Sequence, residues 1–96
     1  MIRDATLDDL PTLVRLLAQL NEEPASECTP QHRAAFAAVA ADPRQRLLVV
    51  EQAGVVVVGT AVLAIVPNLS HNGSPYALIE NVVVDEAVRG QRHGER

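Results

Sequence analysis

The end of this 96-residue chain carries the side chains best suited to hold an anion. Residues 89–96 contain three Arg against one Glu, whereas residues 1–88 contain five Arg against eleven acids. The basic segment Arg89-Gly90-Gln91-Arg92-His93-Gly94 follows the apolar run Val82–Val84 after a short link. Glycines allow positive φ angles and let backbone N–H groups approach phosphate oxygens, while arginine supplies charge. The segment is a candidate pyrophosphate cradle, and a simple turn is the alternative that these residues leave open.

Two helices are predicted in the first half of the chain. After a short strand at residues 2–5, Asp8 or Asp9 is expected to cap a helix that has Pro11 in its first turn. A second helix is predicted from Thr29-Pro30 to the stop at Asp42-Pro43. The first helix should bury one apolar face, formed by Leu10, Leu13, Val14, Leu17 and Leu20.

Three strands rich in valine are predicted after Pro43, at residues 47–51, 55–66 and 76–84. Ala53-Gly54 is a tight hairpin turn between the first two, and residues 68–75 form a connecting loop with a turn at Asn72-Gly73. The predicted order is β-α-α-β-β-β. This corresponds to an α/β (α+β-type) fold, with a mostly antiparallel four-stranded sheet and two helices in a single domain over residues 1–96.

The composition excludes several classes of function. The chain is 48% hydrophobic and 2% aromatic, with a net charge of −4 and no lysine. Lysine Schiff bases and P-loop chemistry are therefore excluded, and a lone Cys28 forms no intramolecular disulfide or multi-cysteine zinc site. Negative charge and only two aromatic residues argue against nucleic-acid binding. Because no apolar run reaches the roughly 20 residues of a membrane helix and the N-terminus lacks a signal pattern, we expect a cytoplasmic protein without a metal.

The chain resembles the GNAT superfamily of acetyl-CoA-dependent N-acetyltransferases in four segments. Ile2-Arg3-x-Ala5-Thr6-x-x-Asp9-Leu10 is similar to the family's opening, Val57–Ala61 to its third strand and Ile79–Val84 to its fourth. Arg89–Gly94 is similar to the cofactor loop Arg/Gln-x-x-Gly-x-Gly/Ala at the first and last positions, with Arg92 in place of the central glycine. The family's third helix and later elements would follow Arg96. The resemblance therefore implies a C-terminally truncated, N-terminal portion of a GNAT fold.

The resemblance also implies where the acetyl donor, acetyl-CoA, would lie. Backbone groups of Val82 and Val84 would bind the pantetheine arm, and the N–H of Val83 or a neighbour would polarise the thioester carbonyl. The pyrophosphate would be faced by the basic segment, that is, by Arg89, Gly90, Gln91, Arg92, His93 and Gly94.

Two further residues of the fourth strand are catalytic candidates. Strict alternation would place Glu80 on one face with Leu78 and Val82, in the half-apolar setting that suits a general base. The alternative is a carboxylate that meets only water or arginine. Asn81 would lie on the other face, where it either orients substrate or satisfies backbone groups.

The resemblance implies acetyl transfer to the primary amine of a small molecule, impaired by the truncation. Residues 79–84 look somewhat like small-molecule amine acetyltransferases, the amino-sugar phosphate enzymes among them. An apolar fourth strand at a sheet edge, or an uncovered sheet face, would favour a homo-oligomer. The alternative function is a catalytically inactive GNAT-like module that acts through oligomerisation.

Overall fold

The computed structural model describes residues 1–54 and 56–88. Four strands form one antiparallel sheet in the order β1-β2-β3-β4: β1 (Ile2–Asp4), β2 (Gln45–Gln52), β3 (Val56–Val66) and β4 (Tyr76–Val84). The predicted order of elements and the antiparallel sheet are confirmed. The arginine and glycine segment, residues 89–94, lies outside the described residues.

The two predicted helices are present and pack on one face of the sheet. The chain enters α1 (Leu10–Leu20) from a 3₁₀ turn, Leu7–Asp9, and α2 (Pro30–Ala41) precedes β2. The core joins α1 to β2, β3 and β4 through seven buried residues: Leu10, Leu13, Val14, Leu16, Val49, Val57 and Val83. This face is called the helix face below, and the opposite face of the sheet is called the open face.

The turns between the last three strands follow the local chemistry of their residues. Ala53 and Gly54 both have positive φ, 58° and 75°, as a tight hairpin turn requires. The 68–75 connection contains a short helical turn, α3 (Ser70–Gly73), in which Asn72 and Gly73 are also left-handed. Both predicted turn positions are therefore confirmed, although the second lies within an element that the sequence pattern did not indicate.

The predicted apolar face of α1 is partly wrong. Leu16, outside the predicted face, is fully buried at 0% exposure, whereas Leu20, inside it, is 38% exposed. The stripe that contacts the sheet is centred on Leu13 and Leu16, which are three residues apart. Spacings of three and four residues both lie on one helix face, so the sequence pattern alone left the direction of the stripe open.

The prediction that Asp8 or Asp9 caps α1 is confirmed for position but not for a side-chain cap bond. Asp9 occupies the N-cap position, but its side chain makes no cap bond to α1. Its carboxylate instead accepts from the Thr6 N–H at 2.7 Å and from Arg3 Nη1 and Nη2 at 2.7 and 2.9 Å. A guanidinium forms charge-assisted, bidentate bonds to a carboxylate, which are stronger than a single cap bond.

Candidate functional site

A β-bulge interrupts the fourth strand at Asn81. Thr60 of β3 pairs with Val83 and Val62 pairs with Glu80, so Asn81 and Val82 together oppose Ala61 alone. Asn81 has φ 53°, in the left-handed region that asparagine tolerates better than most residues. The extra residue shifts the alternation of side chains along the strand by one position.

The bulge separates residues that strict alternation would keep on one face. Directly paired residues of an antiparallel sheet share a face. Glu80 lies opposite Val62, and Val83 opposite Thr60, so both are on the helix face. Val82 lies on the open face. The expectation that Glu80 and Val82 share a face is therefore wrong. The half-apolar setting expected for Glu80 is also not found, because Glu80 is exposed.

The three valines after the bulge have different environments. Val83 is 6% exposed and belongs to the core, whereas Val82 and Val84 are 56% and 38% exposed on the open face. The buried Val83 anchors the strand in the core, while the side chains of its two neighbours are exposed.

A shallow groove accompanies these valines at the end of α1. It has a volume of about 360 Å³, and its lining consists of Val82–Val84, Gln19, Leu20 and Glu22. Within the described residues β4 pairs only with β3, so its other edge is unpaired there. The groove lies beside the end of this strand. A strand edge beside a groove of mixed polar and apolar lining can accept an extended, amide-containing chain.

Gly59 allows β3 to approach the end of β4 closely. A Cβ on Gly59 would lie 3.1 Å from the Val83 carbonyl oxygen, closer than ordinary van der Waals contact. The Asp85 N–H continues the pairing beyond Val84 by donating to the Val58 carbonyl at 2.7 Å. The backbone of residues 83–85 is therefore tightly held against β3.

Side chains of α1 hold the chain where it leaves β4. The Arg15 guanidinium pairs with the Asp85 carboxylate at 3.0 Å, and the Gln19 side-chain oxygen Oε1 accepts from the Glu86 backbone N–H at 2.9 Å. Burial acts to raise the pKa of Asp85, but hydrogen bonds from the Ala87 N–H and from these α1 side chains outweigh it and lower that pKa. An ionised Asp85 thus ties α1 to the start of the segment that carries the basic residues.

A second cavity lies between the two helices and the sheet, and we call it the helix–sheet cleft. Its volume is about 390 Å³, within the range of small-molecule sites. Asn81, the bulge residue, forms part of its wall. The apolar lining includes Leu13 and Leu17 of α1, Phe36 and Val39 of α2, and Leu47 and Val62 of the sheet.

Sequence reasoning selected β4 as the candidate strand but missed the features that shape it. The Asn81 bulge, the Arg15, Gln19 and Asp85 contacts and the helix–sheet cleft were all missed. One signal for the bulge was available in the sequence, namely an asparagine at position 81 before a run of valines. Asparagine is depleted in strands and tolerates positive φ better than most residues. The Gln19 contacts join residues more than 60 positions apart, and the cleft is formed by both helices together with the sheet.

Neither a metal site nor a membrane span is found in the described part of the chain. Across residues 1–54 and 56–88, no three or more His, Cys, Asp or Glu side chains are grouped so that they could hold a metal ion. No helix in these same ranges is long and apolar enough to cross a membrane.

A family model and a solved structure show which family this chain resembles. The model of the Acetyltransferase (GNAT) family matches residues 10–96. No match was found among curated proteins. A candidate acetyltransferase from Agrobacterium tumefaciens strain C58 is 43% identical with a TM-score of 0.80, and covers 95% of this chain and 62% of its own.

Two other solved structures have the same fold. A transcriptional regulator from Bacillus halodurans C-125 is 31% identical with a TM-score of 0.82, covering 95% of this chain and 63% of that one. Glucosamine-6-phosphate N-acetyltransferase from Arabidopsis thaliana is 23% identical with a TM-score of 0.77, covering 96% and 64%. The chain thus spans less than two thirds of the length of each of these proteins.

Proposed function

This chain belongs to the Acetyltransferase (GNAT) family, and from that membership we propose that it transfers an acetyl group from acetyl-CoA to the primary amine of a small molecule. Its family supports acetyl transfer in general. The donor, the kind of acceptor and a cytoplasmic location are the specific parts of the proposal. The transfer needs no metal.

The proposed reaction is a direct acyl transfer. Acetyl-CoA, when bound, supplies an activated thioester: a C–N bond forms to the amine, the C–S bond breaks, and the departing sulfur takes up a proton as the amine nitrogen loses one. The chain's own part is to bind, to orient and to move a proton. In this role Glu80, exposed on the helix face of β4, accepts the amine proton through water.

The bulged end of β4 is the observation that carries the proposal. The backbone of Val82 and Val84 would bind the pantetheine arm beside the groove that these residues form with α1. Buried Val83 and its contact with Gly59 hold the strand so that its N–H groups are positioned before any ligand binds. Donors preorganised in this way stabilise a developing oxyanion by several kcal/mol in a dry site. Arg89–Gly94, which follow the described residues, are proposed to face the pyrophosphate.

A calorimetric titration of the chain with acetyl-CoA tests this proposal. We expect saturable binding, accompanied by a rise in the free energy of unfolding of about 2.7 kcal/mol at a hundredfold excess over Kd. Arg89→Ala should weaken binding tenfold or more, because it removes a charge facing the pyrophosphate. Arg44→Ala is the matched control, since Arg44 contacts Ile65 at the opposite end of the sheet from Val84. Absence of binding at millimolar acetyl-CoA, or equal loss in both variants, would contradict the proposal.

The apolar side chains of β4 support a second proposal, in which the chain associates with another copy of itself through this strand. Leu78, Ile79 and Val82 are 40%, 65% and 56% exposed, and an apolar strand edge is a template for pairing. In the alternative function this association is the purpose of the module and acetyl transfer is lost. Light scattering across a wide concentration range tests it, with Ile79→Lys expected to shift a dimer to monomer. A monomer at every concentration would contradict it.

A further inference from the structure

The helix–sheet cleft has the position expected of an acceptor site. Asn81 is both part of its wall and the residue before Val82, where the acetyl donor is proposed to lie. A molecule in the cleft would therefore reach the bulge from the helix face. The exposed Glu80 lies on that same face of β4. The cleft, the bulge and the candidate base thus lie on one side of the strand.

The described lining of the cleft contains a carboxylate and no guanidinium. Glu23 and His32 are the only ionisable side chains among the described residues that line it. The Thr29 N–H donates to His32 Nδ1 at 3.0 Å, so this ring nitrogen is already used at the start of α2. Among the described residues, no guanidinium lines the cleft as a partner for a phosphate, and the Glu23 carboxylate would repel it.

No arginine of the described part of the chain lines the cleft. Arg3 pairs with Asp9 and Glu51, and Arg46 pairs with Asp4. Arg15 pairs with Asp85 beyond the end of β4. Arg33 and Arg44 are exposed, and neither lines the cleft.

From this lining we infer that the acceptor is a primary amine carried on an apolar body, aliphatic or aromatic, and not a phosphorylated amine such as an amino-sugar phosphate. The inference rests on the proposed acetyl transfer and specifies its acceptor. Apolar walls from α1, α2 and the sheet enclose the body of the molecule. The Glu23 carboxylate on the rim attracts the ammonium group as it enters. Each methylene that the cleft buries is worth about a fourfold gain in affinity.

Titration of the chain alone with straight-chain alkylamines, followed by ¹H–¹⁵N NMR, tests the inference. From propylamine to hexylamine we expect affinity to rise about fourfold per methylene. The shifted amides should include Phe36 and Val39, while those of the remote Gln52 stay unmoved. Hexanoate and phosphoethanolamine should bind at least tenfold more weakly than hexylamine. Affinity that is independent of chain length, or tighter binding of phosphoethanolamine, would overturn the inference.

A matched pair of loop variants tests the role of charge. Glu23→Gln should weaken hexylamine two- to fivefold and leave hexanol unchanged, because only the amine is charged. Glu27→Gln removes the same charge from the same loop at a residue outside the cleft, and should have no effect. Equal effects of the two variants would show that general charge, and not the cleft, attracts the amine, and would overturn that part of the inference.

The amine titration and the acetyl-CoA titration test different claims, so a negative result in one does not decide the other. If acetyl-CoA does not bind but alkylamines bind with the expected length dependence, acetyl transfer is refuted and the preference of the cleft stands. If acetyl-CoA binds and the alkylamine series shows no preference, only the inferred acceptor class is refuted.

Discussion

The bulge at Asn81 can be tested with three substitutions at one position. Asn81 has φ 53°, which costs an ordinary L-residue about 1–2 kcal/mol relative to right-handed backbone, whereas glycine adopts it freely. We expect Asn81→Ala to lower the free energy of unfolding by about 1 kcal/mol and Asn81→Val by about 2 kcal/mol. Asn81→Gly should change it by no more than about 0.5 kcal/mol, since relief of strain offsets the greater freedom of the unfolded chain.

The strand cannot escape this strain by becoming regular. Without the bulge, the alternation after Asn81 would reverse, and Val83, now 6% exposed, would turn toward the open face. Exposing a buried valine costs about 1.5–3 kcal/mol, which is at least as much as the strain itself. The bulge should therefore persist in all three variants, and the strain should appear as lost stability.

Urea unfolding and acetyl-CoA titration of the same variants separate the backbone from the side chain. With a slope near 1 kcal/mol per molar urea, a loss of 1 kcal/mol moves the midpoint by about 1 M. If the shape of the bulge matters for binding, Asn81→Gly should keep Kd within twofold of the parent while the alanine and valine variants bind progressively more weakly. If the amide itself contacts a ligand, the glycine and alanine variants should be equally impaired.

Two results would refute this reasoning. One is an alanine variant as stable as the glycine variant, because the backbone at position 81 would then not require positive φ. The other is a glycine variant destabilised by more than about 1 kcal/mol, which would mean that the asparagine side chain makes stabilising contacts of its own.

Three further predictions concern the contacts that support β4 and the N-terminal end of the sheet. The hydrogen bond from Arg3 lowers the pKa of Asp9 from 3.8 to about 2, so this ionised, 9% exposed carboxylate contributes stability above pH 4 that is lost as pH falls through 2. Asp9→Asn should cost about 2 kcal/mol at pH 7, and its difference from the parent in urea unfolding should close between pH 4 and pH 2; a constant difference would contradict the ion pair. Gly59→Ala should lower the free energy of unfolding by about 1–2 kcal/mol, because the new methyl group crowds a β4 carbonyl oxygen at 3.1 Å, and an unchanged urea midpoint would show that β3 and β4 can separate there. Gln19→Ala should raise the Kd for acetyl-CoA several-fold by freeing the backbone after β4, whereas Gln31→Ala on the exposed start of α2 should not. Equal affinities of the two variants in calorimetry would show that the Gln19–Glu86 hydrogen bond does not support the site.

Local patterns in the sequence were enough to predict most of the fold. Branched residues in runs predicted the strands, and Thr29-Pro30 predicted the start of α2, where the Thr29 side chain accepts from the His32 N–H. Ala53-Gly54 predicted the hairpin turn. Each of these features depends on backbone preferences within a few residues, which a single sequence records directly.

The sequence also predicted the candidate site at the level of segments. The resemblance of Ile79–Val84 indicated the strand that the structure places at the edge of the described sheet, beside a groove. The roles of Glu80, Asn81 and Val82–Val84 in binding and catalysis remain predictions. The roles of Arg89–Gly94 rest on the sequence, because these residues lie outside the described part of the chain.

Only the tertiary structure decided which way the residues of β4 face and what surrounds them. Alternation along a strand has a period of two, so one extra residue at Asn81 sends Val82 to the opposite face from Glu80. Pairing with β3, burial of Val83 in the core and the contacts of Asp85 with α1 fix where that extra residue lies. These are interactions between segments far apart in the chain, and their energies depend on distance in the fold, which no local sequence pattern contains.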